Sequence, residues 1–498
     1  MTARPTTTAE HAPEAALRYL AAAPRDLLID GCWQPARSGK SFDVIDPTSE
    51  QVIAAVALAD AFDVDLAVRA AHHAFESPGW SAISAHQRAK YLLDIADLIE
   101  ANADELGMLQ SLEMGAVYPQ ARMMARMMAD VFRYYAGWTS KIFGHTNPSD
   151  ASVFNYTLRE PLGVVAAIIP WNGPILAACW KLAPALACGN TVVMKPADVA
   201  PLAVLRLAQL MQQAGLPDGV INMVPGTGAG AGEALIHHPL VAKLAFTGSS
   251  AVGKHVMEVA AGSMKKVSLE LGGKAPTIVF ADADLDQAAA MSAFGFAGNA
   301  GQMCVAGSRI FVQDAIYDVF CAKLAAAVGA MATGSPFDDK TALGPLSSRQ
   351  QYERVNGFLA SAKSEGARLL VGGASGHANG YFVEPAIFTD VRANMRIVRE
   401  EIFGPVAVLM RFSDEHDAVF HGNDTEYGLS ATVWTRDLAR GLRMGKALKA
   451  GTVWVNTMFK LDPASPFGGY KSSGTGRELG PESIDQYTQT KSVYVSLA

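Results

Sequence analysis

Apolar and polar residues alternate along residues 27–60 (LLIDGCW, SFDVIDP, VIAAVAL), the period of half-buried strands separated by turns. From Val64 the period becomes helical. It predicts helices over Val64–Phe75, Ala85–Asn102, Asp104–Glu113 and Val117–Phe143, with a further short helix at Pro13–Ala22. The last long helix carries Met123, Met124, Met127 and Met128, a stripe that more often packs a core than lines a pocket. Residues 145–162 return to polar alternation, and Gln489–Ser496 repeats it near the end of the chain. Two such segments predict a small sheet, one that subunits can share.

The middle of the chain alternates short apolar runs with helical ones. Strands are predicted at 163–169, 191–195, 220–224 and 243–247, leading into helices Pro174–Cys188, Pro201–Ala214, Ala231–His237 and Ala251–Ala261. Such alternation specifies a parallel sheet covered on both faces, and ligands bind such sheets at the carboxyl ends of the strands. Those ends read PWNGP, KPADV, PGTGAG and TGSSAVG. After strand VSLEL (267–271) and Gly272–Gly273 a second αβ run begins: PTIVFA, helix Leu285–Gly298, a loop around Cys304, strand RIFVQ and helix Ala315–Met331. The change of unit is placed at Gly272–Gly273.

Length and composition narrow the class. A chain of 498 residues exceeds one ordinary core, so two or three domains are expected. With 50% hydrophobic and 18% charged residues it reads as globular. A net charge of −7 and no long basic run argue against nucleic acid or anionic membranes as partners. The apolar runs are too short to span a bilayer. Glu10, Glu14 and Arg18 interrupt the Ala-rich N-terminal stretch, which argues against a signal peptide. The five cysteines form no CxxC pair, so reduced thiols in the cytoplasm are expected. Metal-ligand spacing is missing, and no metal is expected.

Several residues carry candidate chemistry, each with a bland alternative. Gly226, Gly228 and Ala231 fit a relaxed GxGxxG/A dinucleotide fingerprint, although Gly-rich turns of this kind are common. GSSAVGKH (248–255) resembles a P-loop but has His255 where the magnesium-binding Ser or Thr belongs; the helix start still suits a phosphate. Glu270 ends a strand before two glycines, either paired in a core or set in a cleft as a general base. Asn172 either caps the following helix or helps hold an oxyanion. Cys304, in GNAGQMCVAGSR, is either an inert thiol or a nucleophile with small neighbours that leave room for a substrate.

Taken together, these stretches resemble the aldehyde dehydrogenase superfamily. PWN (170–172), KPA (195–197), FTGSSAVGK (246–254), LELGGK (269–274), GQMCVAGSR (301–309), EEIFGP (400–405) and PFGGYKSSGTGRELG (466–480) occur in the family's order and span the chain from about residue 25 to the end. The resemblance implies an α/β fold of two αβ domains with parallel sheets plus a small β oligomerisation arm. It assigns residues 1–144 and 163–272 to a dinucleotide-binding domain, 273–480 to a catalytic domain, and 145–162 with 481–498 to the arm of a homodimer or homotetramer.

The same resemblance implies the site. Cys304 is the expected nucleophile, Asn172 with the Cys304 N–H the oxyanion holder, and Glu270 the base that activates water against a thioester. Cofactor contacts are expected from Ile168, Pro170, Trp171, Lys195, Asp198, Gly228, Gly248, Ser249, Val252, Glu401 and Phe403. The phosphates are then expected at Gly248–Gly253 and the adenosine near Gly228, so the fingerprint-like turn marks the right ligand at the wrong place. Asp198 stands where many NAD-preferring members carry Glu; NAD is expected, and the shorter carboxylate leaves NADP use open. The expected substrate pocket is Met127, Gly173, Trp180, Met303, Val305, Leu461 and Phe467. Its apolar lining and the small Gly173 imply a small-molecule aldehyde that is hydrophobic, aromatic or medium-chain aliphatic. A CoA-acylating dehydrogenase and a non-catalytic scaffold are the competing readings. Glu270 favours hydrolysis over the first, and the intact set of Cys304, Glu270, Asn172, Lys195 and Glu401 disfavours the second.

Overall fold

The computed structural model describes residues 12–374, 377 and 379–497. Two large sheets organise it. The first has eight strands, in the order Gly474–Thr475, Lys266–Glu270, Val241–Thr247, Val164–Ile168, Thr191–Lys195, Ile221–Met223, Leu27–Ile29 and Cys32–Gln34. Its five central strands are parallel, and antiparallel strands close both edges. Val164–Ile168 and Thr191–Lys195 are buried at every position, as a sheet covered on both faces requires. Helices 85–101, 118–136, 174–187 and 202–213 bury Leu92, Phe132, Leu182 and Leu205 on one face. Helices 61–76 and 250–261 bury Val64, Val68 and Val256 on the other.

The second sheet has seven strands, in the order Arg368–Val371, Ala386–Thr389, Val406–Phe412, Arg309–Gln313, Pro276–Val279, Ser430–Trp434 and Thr452–Val455. All its pairings are parallel except that of Arg368–Val371. A third, three-stranded sheet pairs Val153–Pro161 with Thr488–Ser496 along their whole length and adds Thr146–Asn147. Both polar alternating segments therefore meet within one chain.

The structure departs from the sequence expectations in four places. Helix Tyr118–Ala136 stops well short of Phe143: Gly137 follows, and the Thr139 hydroxyl donates to the Ala136 carbonyl, satisfying a helix end. The Met stripe splits, with Met128 buried, Met124 and Met127 half-buried and Met123 exposed. After PGTG the chain makes one π turn, Gly228–Gly232, before a short helix at Glu233–His237, because three glycines resist the α-helical continuation. Gly474–Thr475, expected with the second unit, instead pairs with Leu269 and Glu270 at the edge of the first sheet.

Candidate active site

Register brings the site together. Ile168 pairs with Lys195 on one side and Phe246 on the other, and Thr247 pairs with Glu270. Four strands thus end level with one another, and the turns Pro170–Gly173, Pro196–Asp198, Gly248–Ser250 and Leu271–Lys274 leave from that edge.

The Cys304 loop is fastened onto this edge. Asn299, Ala300 and Gly301 are left-handed in succession (φ 51°, 52° and 72°), a conformation that ordinary residues hold only when their surroundings impose it. A Cβ on Gly301 would lie 2.1 Å from the Gly404 carbonyl carbon, so the backbones are in contact there. Asn299 Nδ2 donates to the Asn172 carbonyl at 3.0 Å. Asn172 Nδ2 donates to the Gln302 carbonyl at 2.8 Å. The cap reading of Asn172 fails, because helix Pro174–Ala187 has Gly173 at its N-cap and no side-chain cap. One Nδ2 hydrogen holds the loop, and the second remains for a ligand oxygen.

Cys304 is half-buried, and its own N–H and that of Val305 lie within reach of the sulfur. Burial, followed by the charges of Glu401 and Glu270, pushes the thiol up to about 12.

Glu270 is buried, and its Oε2 has no hydrogen-bond partner. Burial and then the neighbouring Glu478 raise its pKa well above the ordinary carboxylate value, against the opposing pull of Lys181 and Arg477. Lys181, fully buried in an apolar helix, pairs with Glu478 and donates to Thr247 Oγ1 at 2.6 Å. The two glycines after Glu270 permit close approach. A Cβ on Gly272 would meet Glu401 Oε2 at 2.2 Å, and one on Gly273 would meet the Cys304 carbonyl oxygen at 2.3 Å. Gly468 does the same for Glu270, whose Oε1 lies 2.8 Å from the position of a Cβ there.

The residues expected around a nicotinamide cofactor lie along the same edge. Helix Ser250–Ala261 begins at Ser249, whose hydroxyl accepts from the Val252 N–H. Its first-turn amides and helix dipole suit a pyrophosphate, and the missing Cβ of Gly248, which would fall 2.5 Å from the Phe246 ring, allows close approach. Val252 is exposed on that helix, and no atom lies within 4 Å of a Cβ built on Gly228, so both offer open surface to an adenosine. Lys195 Nζ donates to the carbonyls of Pro196 and Gly226, each at 2.9 Å, which leaves one donor for a ribose hydroxyl. Burial pulls Lys195 down to about 8, opposed by Asp198. Asp198 accepts from the Val199 N–H. Phe403, strained at φ 60°, meets Trp171 edge-on at 5.3 Å; Pro170 precedes Trp171 in the turn, and Ile168 ends the strand that leads into it. Glu401 accepts from the Gly273 N–H at 2.9 Å, and burial pushes it up to about 7. These donors and open faces fit such a cofactor.

Among the expected substrate residues, Trp180 and Phe467 are buried and meet at 5.1 Å, and Met127, Val305, Leu461 and Cys304 pack against the same cluster. Gly173 opens toward it, since a Cβ there would touch only Leu176, at 3.8 Å. Met303 stands apart, with its methyl beside Gly298 and Phe294. Lys181, Glu478 and Gly468 escaped the sequence reading. Lys181 did leave a signal, as the one charge inside the apolar helix PILAACWKLAPALA. Among the described residues, no cluster of three or more His, Cys, Asp or Glu can hold a metal.

Two largely parallel sheets, with a cysteine loop clamped against the level strand ends of the first, define a two-unit α/β architecture. Comparison with known proteins agrees. The model of the aldehyde dehydrogenase family matches residues 33–493. The mitochondrial aldehyde dehydrogenase of Leishmania tarentolae is 46% identical over 470 residues, covering 94% of each chain. The cytosolic aldehyde dehydrogenase 1 of Rattus norvegicus is 43% identical over 476 residues, covering 95% of each. The NAD+ complex of the Bacillus cereus aldehyde dehydrogenase superposes with a TM-score of 0.95 at 42% identity, covering 98% of this chain and 99% of that one. The chain belongs to the aldehyde dehydrogenase family.

Proposed function

We propose that the protein oxidises a hydrophobic aldehyde, aromatic or medium-chain aliphatic, to the carboxylic acid with NAD. The convergence of Cys304, the free Asn172 Nδ2 hydrogen and the unpartnered Glu270 carboxylate on one cleft carries this reading. The Cys304 thiol gives up its proton to solvent, and its sulfur attacks the aldehyde carbon to form a thiohemiacetal. Asn172 Nδ2 and the Cys304 N–H hold the oxyanion. A nicotinamide placed by Glu401, Phe403 and Trp171 and tethered at Lys195 and Ser249 supplies, when bound, the hydride acceptor, so that a thioester remains on Cys304. Glu270 then takes the proton of the water that hydrolyses it.

The apolar cluster of Met127, Trp180, Leu461 and Phe467 supports a hydrophobic substrate, and Asp198 supports NAD over NADP through repulsion of a 2′-phosphate. The exposed Phe154, Leu158, Tyr494 and Val495 of the three-stranded sheet support assembly into a homodimer or homotetramer. All five cysteines are free, which supports a reducing, cytoplasmic setting.

The test is a panel of aromatic, aliphatic and charged aldehydes with NAD and NADP, read by the absorbance of the reduced cofactor. Highest kcat/KM is expected for an apolar aldehyde with NAD. A preference for succinic semialdehyde, betaine aldehyde or NADP refutes the corresponding assignment. An acyl-CoA product formed in place of the acid refutes hydrolysis, and activity surviving Cys304→Ala refutes the nucleophile.

A further inference from the structure

A second cavity lies away from the Cys304 cleft. It measures about 480 Å³, the size of a small-ligand site, and opens between helix Ala85–Ala101, the turn at Thr139–Ile142 and strand Val153–Pro161. Its polar centre is Arg88. The Arg88 Nε is buried without a hydrogen-bond partner, and among the described residues the guanidinium makes no hydrogen bond or ion pair. A guanidinium with its Nε–H buried and unpartnered is costly there, since that donor has given up water without replacement. Gly189 lies beside it, a Cβ there falling in ordinary van der Waals contact with Arg88 Nη1 at 3.5 Å, and the Trp80 indole N–H donates to the Gly189 carbonyl at 3.0 Å to fix the turn.

The second arginine on the wall, Arg159, already has a partner in Asp485 and is hydrogen-bonded to Thr488. Glu76 is exposed at the rim. The wall thus carries one unpaired guanidinium at its centre and one carboxylate at its rim, which suits a monoanion seated on Arg88 better than a phosphate dianion. Phe75, Ile142 and Pro161 supply apolar wall, and Ser81, Thr139 and Ser140 supply polar wall. The planar guanidinium fork fits a carboxylate through two parallel hydrogen bonds.

We propose that this cavity binds an apolar monocarboxylate, with its carboxylate on Arg88 and its body against Phe75 and Ile142. Acids of this kind are the product class of the proposed reaction, so the product becomes a ligand at a distance from Cys304; that last step rests on the proposed function, and the ligand class does not.

The experiment is calorimetric titration of benzoate, and separately of inorganic phosphate, into the full chain and into Arg88→Met, Arg88→Lys and Ile142→Trp. One benzoate site per chain is expected, with its association constant reduced on the order of tenfold or more in Arg88→Met, the loss of one charged hydrogen-bond pair. Arg88→Lys restores part of it, and Ile142→Trp, which fills the cavity and leaves Arg88 in place, removes it. Equal benzoate binding in all four proteins overturns the proposal, as does phosphate binding more tightly than benzoate. A change of sedimenting species in Arg88→Met without any benzoate site in the parent also overturns it, and assigns Arg88 to a contact with a second copy of the chain. If Arg88→Met does not fold, Ile142→Trp decides. Aldehyde oxidation without benzoate is expected to be equal in parent and variants. Its absence from all of them counts against the Cys304 reading and leaves the titration valid.

Discussion

Glu270→Gln separates the two halves of the proposed reaction. The substitution is isosteric, and the amide fits the narrow space beside Gly468 that the carboxylate now fills. It removes the base without enlarging the cleft. General-base removal costs about 10²–10⁴ in rate, or about 3–5 kcal/mol on the barrier of the step that uses it. If that step is thioester hydrolysis, turnover falls by this factor. Rapid mixing with an aromatic aldehyde and NAD still gives a burst of reduced cofactor close to one per active site, followed by the slowed steady rate. The same variant reports on stability. Burial raises the folded-state pKa of Glu270 above the ordinary value of 4.5. Its contribution to stability is therefore present below 4.5 and is lost as pH rises through the raised folded value, because the unfolded chain ionises first. Glutamine has no such loss, so the Tm of Glu270→Gln exceeds that of the parent at pH 8 and the difference narrows toward pH 5. A steady-state rate within about threefold of the parent refutes the base assignment. A burst that shrinks in step with turnover moves Glu270 to a step before hydride transfer.

Three further outcomes follow from the geometry. With Cys304 pushed up to about 12, alkylation of the free protein by iodoacetamide rises about tenfold per pH unit from pH 7 to 9, because the thiolate is a trace species throughout; a plateau below pH 8 contradicts the electrostatics of Glu401 and Glu270. Gly173→Phe is accommodated by the extended backbone there (φ −163°) and narrows the pocket, so kcat/KM for an aromatic aldehyde falls about tenfold or more while that for acetaldehyde stays within about threefold; equal losses for both place Gly173 outside the pocket. Glu113 is buried and accepts the Leu202 and Ala203 N–H groups at 2.6 and 3.0 Å, so Glu113→Gln, which turns a donor toward one of them, lowers unfolding stability by about 1–3 kcal/mol in urea titration; an unchanged midpoint refutes the capping role.

Local pattern carried far into this fold, and long-range pairing did not. Strands 191–195 and 309–313 run to the same residues in the structure as in the sequence reading, since each is an apolar run bounded by turns. Helix Tyr118–Ala136 overran on paper because the apolar spacing continues past Gly137, and the Thr139 contact that ends it has no periodic signature. Cys304, Asn172 and Glu270 stood out because each lies in a stretch that resembles a family motif, GQMCVAGSR, PWN and LELGGK respectively. Lys181 and Glu478 are 297 positions apart, and neither motif signals the other. Yet Glu478 is the charge that most raises Glu270 after burial itself. The candidate residues were visible one at a time, whereas their mutual electrostatics required the folded edge of the sheet.

The strand that brings Glu478 there has a consequence for synthesis. Gly474–Thr475 pairs with Leu269 and Glu270 from more than two hundred residues downstream, and the Glu478 and Phe467 backbones exchange hydrogen bonds just beyond it. A ribosome finishes the Cys304 loop long before it emits this strap. Until then Glu270 sits at an open sheet edge, with neither Gly468 against it nor Glu478 beside it. Residues 467–478 therefore complete this corner of the fold: the Cys304 loop is made well before them, and Glu270 gains Gly468 and Glu478 as neighbours only once they have been added. A copy that stops short of Gly468 leaves Glu270 at an open sheet edge.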